Sequence, residues 1–263
     1  MILKNKKALI IGIASKRSIA ASIAKLFSQN GAEIALTYQN DKLKSRVEEI
    51  GADLNSTSDI LLHPCDLAND DQIRALKSYI KKSWGSIDII IHSAAFAPRE
   101  LLSGDFVDNI TRDGFKIAHD ISSYSFTALA REFREIINDG GSMLTLSYLG
   151  SERVIKNYNI MGLAKASLEA NVRYMSHSLG PENIRVNAVS AGPIKTLAAA
   201  GISGFNEILK HVEDKSALRR NITLEEVANT ALFLAGPQSS GVTGQLIYVD
   251  GGLNISGASS LSI

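Results

Sequence analysis

The chain has 263 residues, 45% of them apolar and 21% charged, with 20 Gly and 5 Pro. Composition this near the globular average excludes a disordered, collagen-like or disulfide-framework chain. With 28 basic against 27 acidic side chains, it offers no electrostatic footprint for nucleic acid or an anionic membrane surface. The single Cys65 cannot close an internal disulfide, which suits a reducing compartment. Met1–Lys7 runs directly into an apolar strand-like segment with no small-residue cleavage site. No stretch approaches the ~18 apolar residues of a membrane span. A soluble, cytoplasmic protein is expected.

Short β-rich runs alternate with helical patterns from end to end. The first, Ala8–Ile13, is followed by Ser18–Asn30, where Ile19, Ile23, Leu26 and Phe27 take helical spacing and Asn30-Gly31 supplies a stop. Further runs follow at Glu33–Tyr38 and Ile60–His63, then a helix over Asp70–Trp84 and a run at Ile87–His92. A long helix is predicted over roughly Thr111–Asn138, ending at Asp139-Gly140-Gly141, before the run Met143–Tyr148. A helix over Asn159–Leu179, a run at Arg185–Val189, a helix over Thr223–Ala235 and a last run at Leu246–Val249 complete the order. Several runs are apolar on consecutive residues, which suits strands buried on both faces of a parallel sheet. The reading is α/β: one doubly wound domain over 1–263, seven parallel strands with helices on both faces, and a ligand crevice beyond the strands' carboxyl ends. The interval from Pro193 to Arg220 is too long for a plain strand-to-helix turn and is a lid candidate.

Gly12–Ala20 is a Gly-led turn that opens a helix, and such a turn can offer N–H groups and a positive dipole end to a pyrophosphate. It is not G-x-G-x-x-G, because Ala14 holds the second position. Ser18 could cap the helix or bind phosphate. At the end of the second strand, Gln39 neither repels nor attracts a ribose 2′-phosphate, and Lys42 keeps the phosphorylated cofactor open; the plain alternative is a polar strand end followed by a helix cap at Asn40 or Asp41. Asp66 could accept from an adenine amine or simply cap a helix. Tyr158 and Lys165 lie seven residues apart near a helix start, hence on one face and roughly 10 Å apart along the axis. An ammonium beside a phenol lowers its pKa and suits it to a developing oxyanion. Met161, Leu163, Ala164, Leu168 and Ala170 already form an apolar set on that helix, so the core does not need the pair.

These residues resemble the short-chain dehydrogenase/reductase superfamily, and within it the bacterial NADH-dependent enoyl-acyl-carrier-protein reductases. The resemblance runs over almost the whole length. It is carried by Gly12–Ala20, Thr37–Leu43, Gly114–Ser125, Leu144–Gly150, Asn157–Asn171 and Ser190–Ala198. Ordinary superfamily members carry Tyr-x3-Lys; the wider gap here, with an additional Tyr148, resembles the enoyl-reductase pattern.

The resemblance implies a Rossmann-like fold with a helical substrate lid at about 193–220. It implies hydride transfer from NADH to the β-carbon of a trans-2-enoyl thioester in fatty-acid elongation, with no metal. Tyr158 would hold the enolate oxygen, Lys165 the nicotinamide ribose, and Tyr148 would wall the pocket or assist. Gly12, Ala14, Ser18, Ile19, Gln39, Asp66, Leu67, Ser93, Ala94, Ile121, Ile194 and Thr196 would line the cofactor site, with Gln39 going with NADH. Ala95, Phe96, Met161, Leu197, Ala198 and Phe205 would meet the acyl chain, with the stretch Phe96–Leu102 as a wall. The expected partner is acyl carrier protein bearing the substrate, and the expected assembly a homotetramer. Gly201–Glu207 has no Lys or Arg, which leaves Lys210, Lys215, Arg219 and Arg220 as the carrier-docking candidates. Two other readings stay open. A carbonyl reductase of the same fold would prefer a 3-ketoacyl thioester, and a regulatory dinucleotide-binding protein would bind NADH without turnover.

Overall fold

The computed structural model describes residues 1–54, 56, 58–196, 199 and 204–256. Its centre is a sheet of β1 (Lys7–Ile11), β2 (Glu33–Tyr38), β3 (Leu61–Pro64), β4 (Ile87–His92), β5 (Ile137–Ser147), β6 (Arg185–Ala191) and β7 (Leu246–Val249). All neighbours pair in parallel, in the order β3-β2-β1-β4-β5-β6-β7. Every residue of β4 and β6 is buried, which is why these strands read as unbroken rather than alternating runs.

Helices cover both faces. On one side lie α1 (Ile19–Gln29), α2 (Asp41–Ala52) and α9 (Leu224–Ala235); on the other, α3 (Asp70–Trp84), α6 (Ser125–Phe133) and α7 (Asn159–Leu179). Phe27 anchors the first layer and Phe126 and Phe133 the second, all fully buried. Truncating such a ring costs about 3–5 kcal/mol. Caps fix the ends: the Ser18 hydroxyl accepts from the Ala21 N–H at 3.2 Å, Asn40 caps α2, and Thr223 and Glu226 form a capping box on α9.

The structure amends three sequence expectations. The long helix expected over roughly Thr111–Asn138 is present as one continuous helical run from Arg112 to Ile136, but its winding is not uniform. It comprises α5 (Arg112–His119), a π-helical turn (Asp120–Tyr124), α6 and a 3-10 turn (Arg134–Ile136), preceded by the short α4 (Phe106–Asn109). The Asp139-Gly140-Gly141 stretch does not end a helix; it lies inside β5, where the register against β4 shifts and Gly140 takes φ +76°. Finally, the Asn40 cap offered at the end of β2 does open a helix, α2, whose extent was not read because only Val47, Ile50 and Gly51 are buried and the apolar stripe is too thin to show a period. The interval 193–220 contains α8 (Phe205–Lys215).

Candidate active site

The strand order reverses between β1 and β4, and their carboxyl ends diverge into a cavity of about 590 Å³. Gly12 makes the closest approach. It has φ +96°, and a Cβ there would lie 2.1 Å from the Ser93 carbonyl oxygen, so the turn after β1 can pass the end of β4 only as glycine. That turn leads to the N-terminus of α1, whose partial positive charge faces the cavity rim at Ser18 and Ile19. The Ser18 hydroxyl serves the helix: it accepts from Ala21 and donates to the Ser15 carbonyl at 2.8 Å. Arg46 of α2 donates to the Ala14 carbonyl at 2.8 Å and pins the turn from outside.

At the next strand ends, the Gln39 amide donates to Asp66 Oδ2 at 3.4 Å, so the two predicted adenosine readers sit side by side. Asp66 also accepts from the Ala68 N–H at 3.1 Å, a local turn, and it does not cap the helix: Asn69 holds the N-cap of α3. Cys65 beside it is buried, and burial pushes its thiol up to about 12.

The other half of the cavity is built by the end of β5 and the start of α7. Tyr158 is the cap residue of α7 rather than a residue within it. Its ring packs edge-on against Tyr148, centroids 4.9 Å apart at 75°. Gly150 makes room: a Cβ there would lie 2.4 Å from the Tyr158 ring. Lys165 is buried, and its ammonium donates to the Leu146 carbonyl at 2.8 Å. Burial lowers its pKa from 10.5 to about 8, against the opposing pull of Glu169. Glu169 is also buried; burial raises its carboxyl while the Ser147 hydroxyl donates to it.

The expected lowering of the phenol by Lys165 is not what this site does. Burial pushes Tyr158 above the ordinary tyrosine value, with Tyr148 and Glu169 adding in the same direction. Burial pushes Tyr148 up to about 12. The helix face also differs in detail, because Leu163 is 39% exposed while Ile160, Val172 and Lys165 are buried.

Behind the site, His92 is hydrogen-bonded to Thr145 Oγ1 and Ser125 Oγ, each at 2.8 Å. Burial and the Lys165 charge hold it down to about 3, so it is a neutral strut. Ser125 donates to the Ile121 carbonyl at 2.7 Å, and Ser122 accepts from the Phe96 N–H at 2.9 Å and donates to its carbonyl at 3.0 Å. The π turn thereby sets both Ile121 and the Phe96 wall.

The predicted residues gather in one place. Gly12, Ala14, Ser18, Ile19, Gln39, Asp66, Leu67, Ser93, Ala94, Ile121, Ile194 and Thr196 line the cavity. Ala95, Phe96, Met161, Phe205, Tyr148, Tyr158 and Lys165 line it too. Leu197 and Ala198 lie outside the described residues. The sequence reading did not single out Thr37, Leu43, Ile155, Lys156 or Ile208 in the lining, and His92, Ser122 and Glu169 behind it. Thr37 and Leu43 flank the Gln39 motif, and the Ser122 signal lay inside Gly114–Ser125; Lys156 has no local pattern.

A phosphate-ready turn facing a phenol and a buried ammonium across one cleft defines a dinucleotide-dependent oxidoreductase. Residues 12–254 match the family described as enoyl-(acyl carrier protein) reductase. The chain belongs to that family. It is 52% identical over 261 residues to an NADH enoyl-acyl-carrier-protein reductase of Salmonella typhimurium, covering 99% of this chain and 98% of that one. An enoyl-acyl-carrier-protein reductase of Bacillus cereus, solved with NADP+ and an indole naphthyridinone, superposes with a TM-score of 0.95 at 47% identity, covering 97% of this chain and 99% of that one. The enzyme of Anaplasma phagocytophilum, solved with NAD, gives 0.94 at 41% identity, covering 99% and 98%.

Proposed function

We propose that this chain reduces the trans-2 double bond of enoyl thioesters carried on acyl carrier protein, with NADH as hydride donor, in fatty-acid elongation. One observation carries the reading: the Gly12 turn with Gln39 and Asp66, and the Tyr148–Tyr158–Lys165 group, open into the same cavity.

The residues fit a dinucleotide. The Gly12 turn passes Ser93 too closely for any side chain, and it delivers the chain to the α1 N-terminus at the cavity rim. Gln39 and Asp66 offer an amide and a carboxylate to the adenosine end. Neutral Gln39 gives no cation for a 2′-phosphate, which supports NADH. When bound, the reduced nicotinamide supplies the hydride that reaches the substrate β-carbon. Lys165, already anchored to Leu146, turns its remaining protons to the ribose hydroxyls. Tyr158 donates a hydrogen bond to the thioester oxygen as charge moves onto it, the role of an oxyanion stabiliser. Tyr148 buttresses that ring and excludes water. Ala95, Phe96, Met161 and Phe205 form an apolar channel for the acyl chain, with α8 as its lid.

The proposal extends to a cytoplasmic enzyme of one dinucleotide-binding domain that assembles into a homotetramer. No helix among the described residues is long and apolar enough to cross a membrane. Leu163 and Tyr174 of α7 are 39% and 81% exposed and Phe233 of α9 is 44% exposed, apolar surface that a second copy would cover. Light scattering on the purified protein tests the assembly.

The function is tested by following nicotinamide absorbance when the protein meets a trans-2-enoyl thioester with NADH or NADPH. Oxidation favouring NADH is expected. Oxidation with NADPH alone overturns the cofactor assignment, and silence with both in cofactor-binding protein overturns the reaction.

A further inference from the structure

The cavity carries two cations that hydride chemistry does not use. Arg99 begins the 3-10 turn Arg99–Leu101 after β4, and Lys156 stands in the stretch leading into α7. Both line the cavity and both are exposed. The two stretches are fastened to each other. Asn159 Nδ2 donates to the Gly104 carbonyl at 3.2 Å, and Leu101 packs with Ile160 and Ala164 in a small apolar cluster. Neither cation has an ion pair or a hydrogen bond among the described residues.

Other basic groups of this edge are engaged or stand off the cavity. Arg220 is paired with Glu226 at 2.6 Å, and Arg219 donates to the Asp214 carbonyl. Lys195 and Lys210 are not part of the lining. Across the mouth, the first turn of α8 presents Glu207 and no cation. Arg99 and Lys156 are thus the two exposed cations of the lining, while Glu100 beside Arg99 and Glu207 at the head of α8 stand outside it.

We propose that Arg99 and Lys156 form the docking rim for the acidic carrier protein that presents the thioester, on the α7 side of the mouth rather than along α8. The assignment rests on the reductase reading above. Two unpaired exposed cations beside the opening steer an acidic partner during encounter and set its register over the channel.

The test compares kcat/KM for one enoyl chain borne on acyl carrier protein, on coenzyme A and on N-acetylcysteamine. The proteins are the unaltered enzyme, Arg99→Ala/Lys156→Ala, the reversal Arg99→Glu/Lys156→Glu, and Lys210→Ala. In the double-alanine variant the advantage of the carrier-borne substrate over the N-acetylcysteamine one falls about tenfold, through KM, and its salt dependence flattens. Charge reversal deepens the loss, and Lys210→Ala keeps the ratio. The proposal is overturned if the ratio holds in both double variants, or if Lys210→Ala lowers it as much. It is also overturned if the coenzyme A substrate loses as much as the carrier-borne one, because the cations then read the phosphate of the arm. Failure of the unaltered enzyme to reduce the N-acetylcysteamine thioester overturns the reductase reading instead.

Discussion

Tyr148 and Tyr158 come from two different elements, the end of β5 and the cap of α7, and their rings meet edge to face at 4.9 Å. Each removes water from the other. The result is a Tyr158 phenol held above its ordinary pKa, fully protonated at neutral pH. Protonation is what an oxyanion's hydrogen-bond donor needs, so desolvation here serves the proposed chemistry better than the lowered phenol expected from a neighbouring ammonium.

Tyr158→Phe removes that donor and leaves the ring. Turnover is expected to fall by about 10²–10³, the cost of losing one oxyanion donor, while NADH affinity changes little. Single-turnover reduction and a cofactor titration by fluorescence separate the two. Full activity on a poorly activated enoyl thioester would remove Tyr158 from its role.

Lys165 titrates near 8 in the cofactor-free protein, below the 10.5 of a free lysine. Between those values the unfolded chain binds the proton and the folded one does not, so stability rises with pH across that window. Cofactor affinity moves the other way: as the ammonium is lost above about pH 8, NADH binding weakens. Titrations of NADH from about pH 7 to about pH 9.5 check this, and a flat profile counts against it. Lys165→Ala weakens binding at every pH and abolishes the slope. Lys165→Arg retains charge and is expected to bind NADH better than the alanine variant.

Gln39→Arg is expected to shift cofactor preference toward NADPH. Asp66 stands 3.4 Å from the Gln39 amide and would capture part of the new charge. The shift is therefore larger, by about tenfold, when Asp66→Asn is added. Steady-state ratios for the two cofactors decide it, and an unchanged ratio in both variants places the ribose reader elsewhere.

Gly12→Ala forces a Cβ to 2.1 Å from the Ser93 oxygen at a backbone conformation alanine resists. A loss of at least about 1–3 kcal/mol is expected, with weakened NADH binding. Thermal melts with and without cofactor measure both effects. Gly85→Ala, with nothing within 4 Å and φ +77°, pays backbone strain alone and is the reference.

Elements whose cues are local were legible. Glu33–Tyr38, Ile87–His92 and Leu246–Val249 have the bounds their apolar runs suggest, and Asn159–Leu179 the bounds of its helical period. The helix over Thr111–Asn138 was legible in its extent but not in its winding, because a π turn keeps a helix-like apolar pattern while changing its phase. Site residues near motifs were legible for the same reason: Gly12, Gln39, Tyr158 and Lys165 stand in contiguous signatures. His92, Ser122 and Glu169 act through partners 33, 26 and 22 positions away, which no local pattern encodes. The pKa of Tyr158 was misjudged because burial, a property of the assembled fold, outweighs the sign of a nearby charge.

The π turn at Asp120–Tyr124 spends one extra residue, and a residue in a helix is worth about 100° of rotation. Upstream, α5 can therefore be phased to Leu101 and the start of α7 while downstream α6 is phased to the sheet, neither compromising the other. The two halves are clocked separately, like a shaft with a keyed coupling. Deleting one residue there would leave a straight, well-formed helix and turn Ile121 off the cavity, a case where better secondary structure makes a worse enzyme.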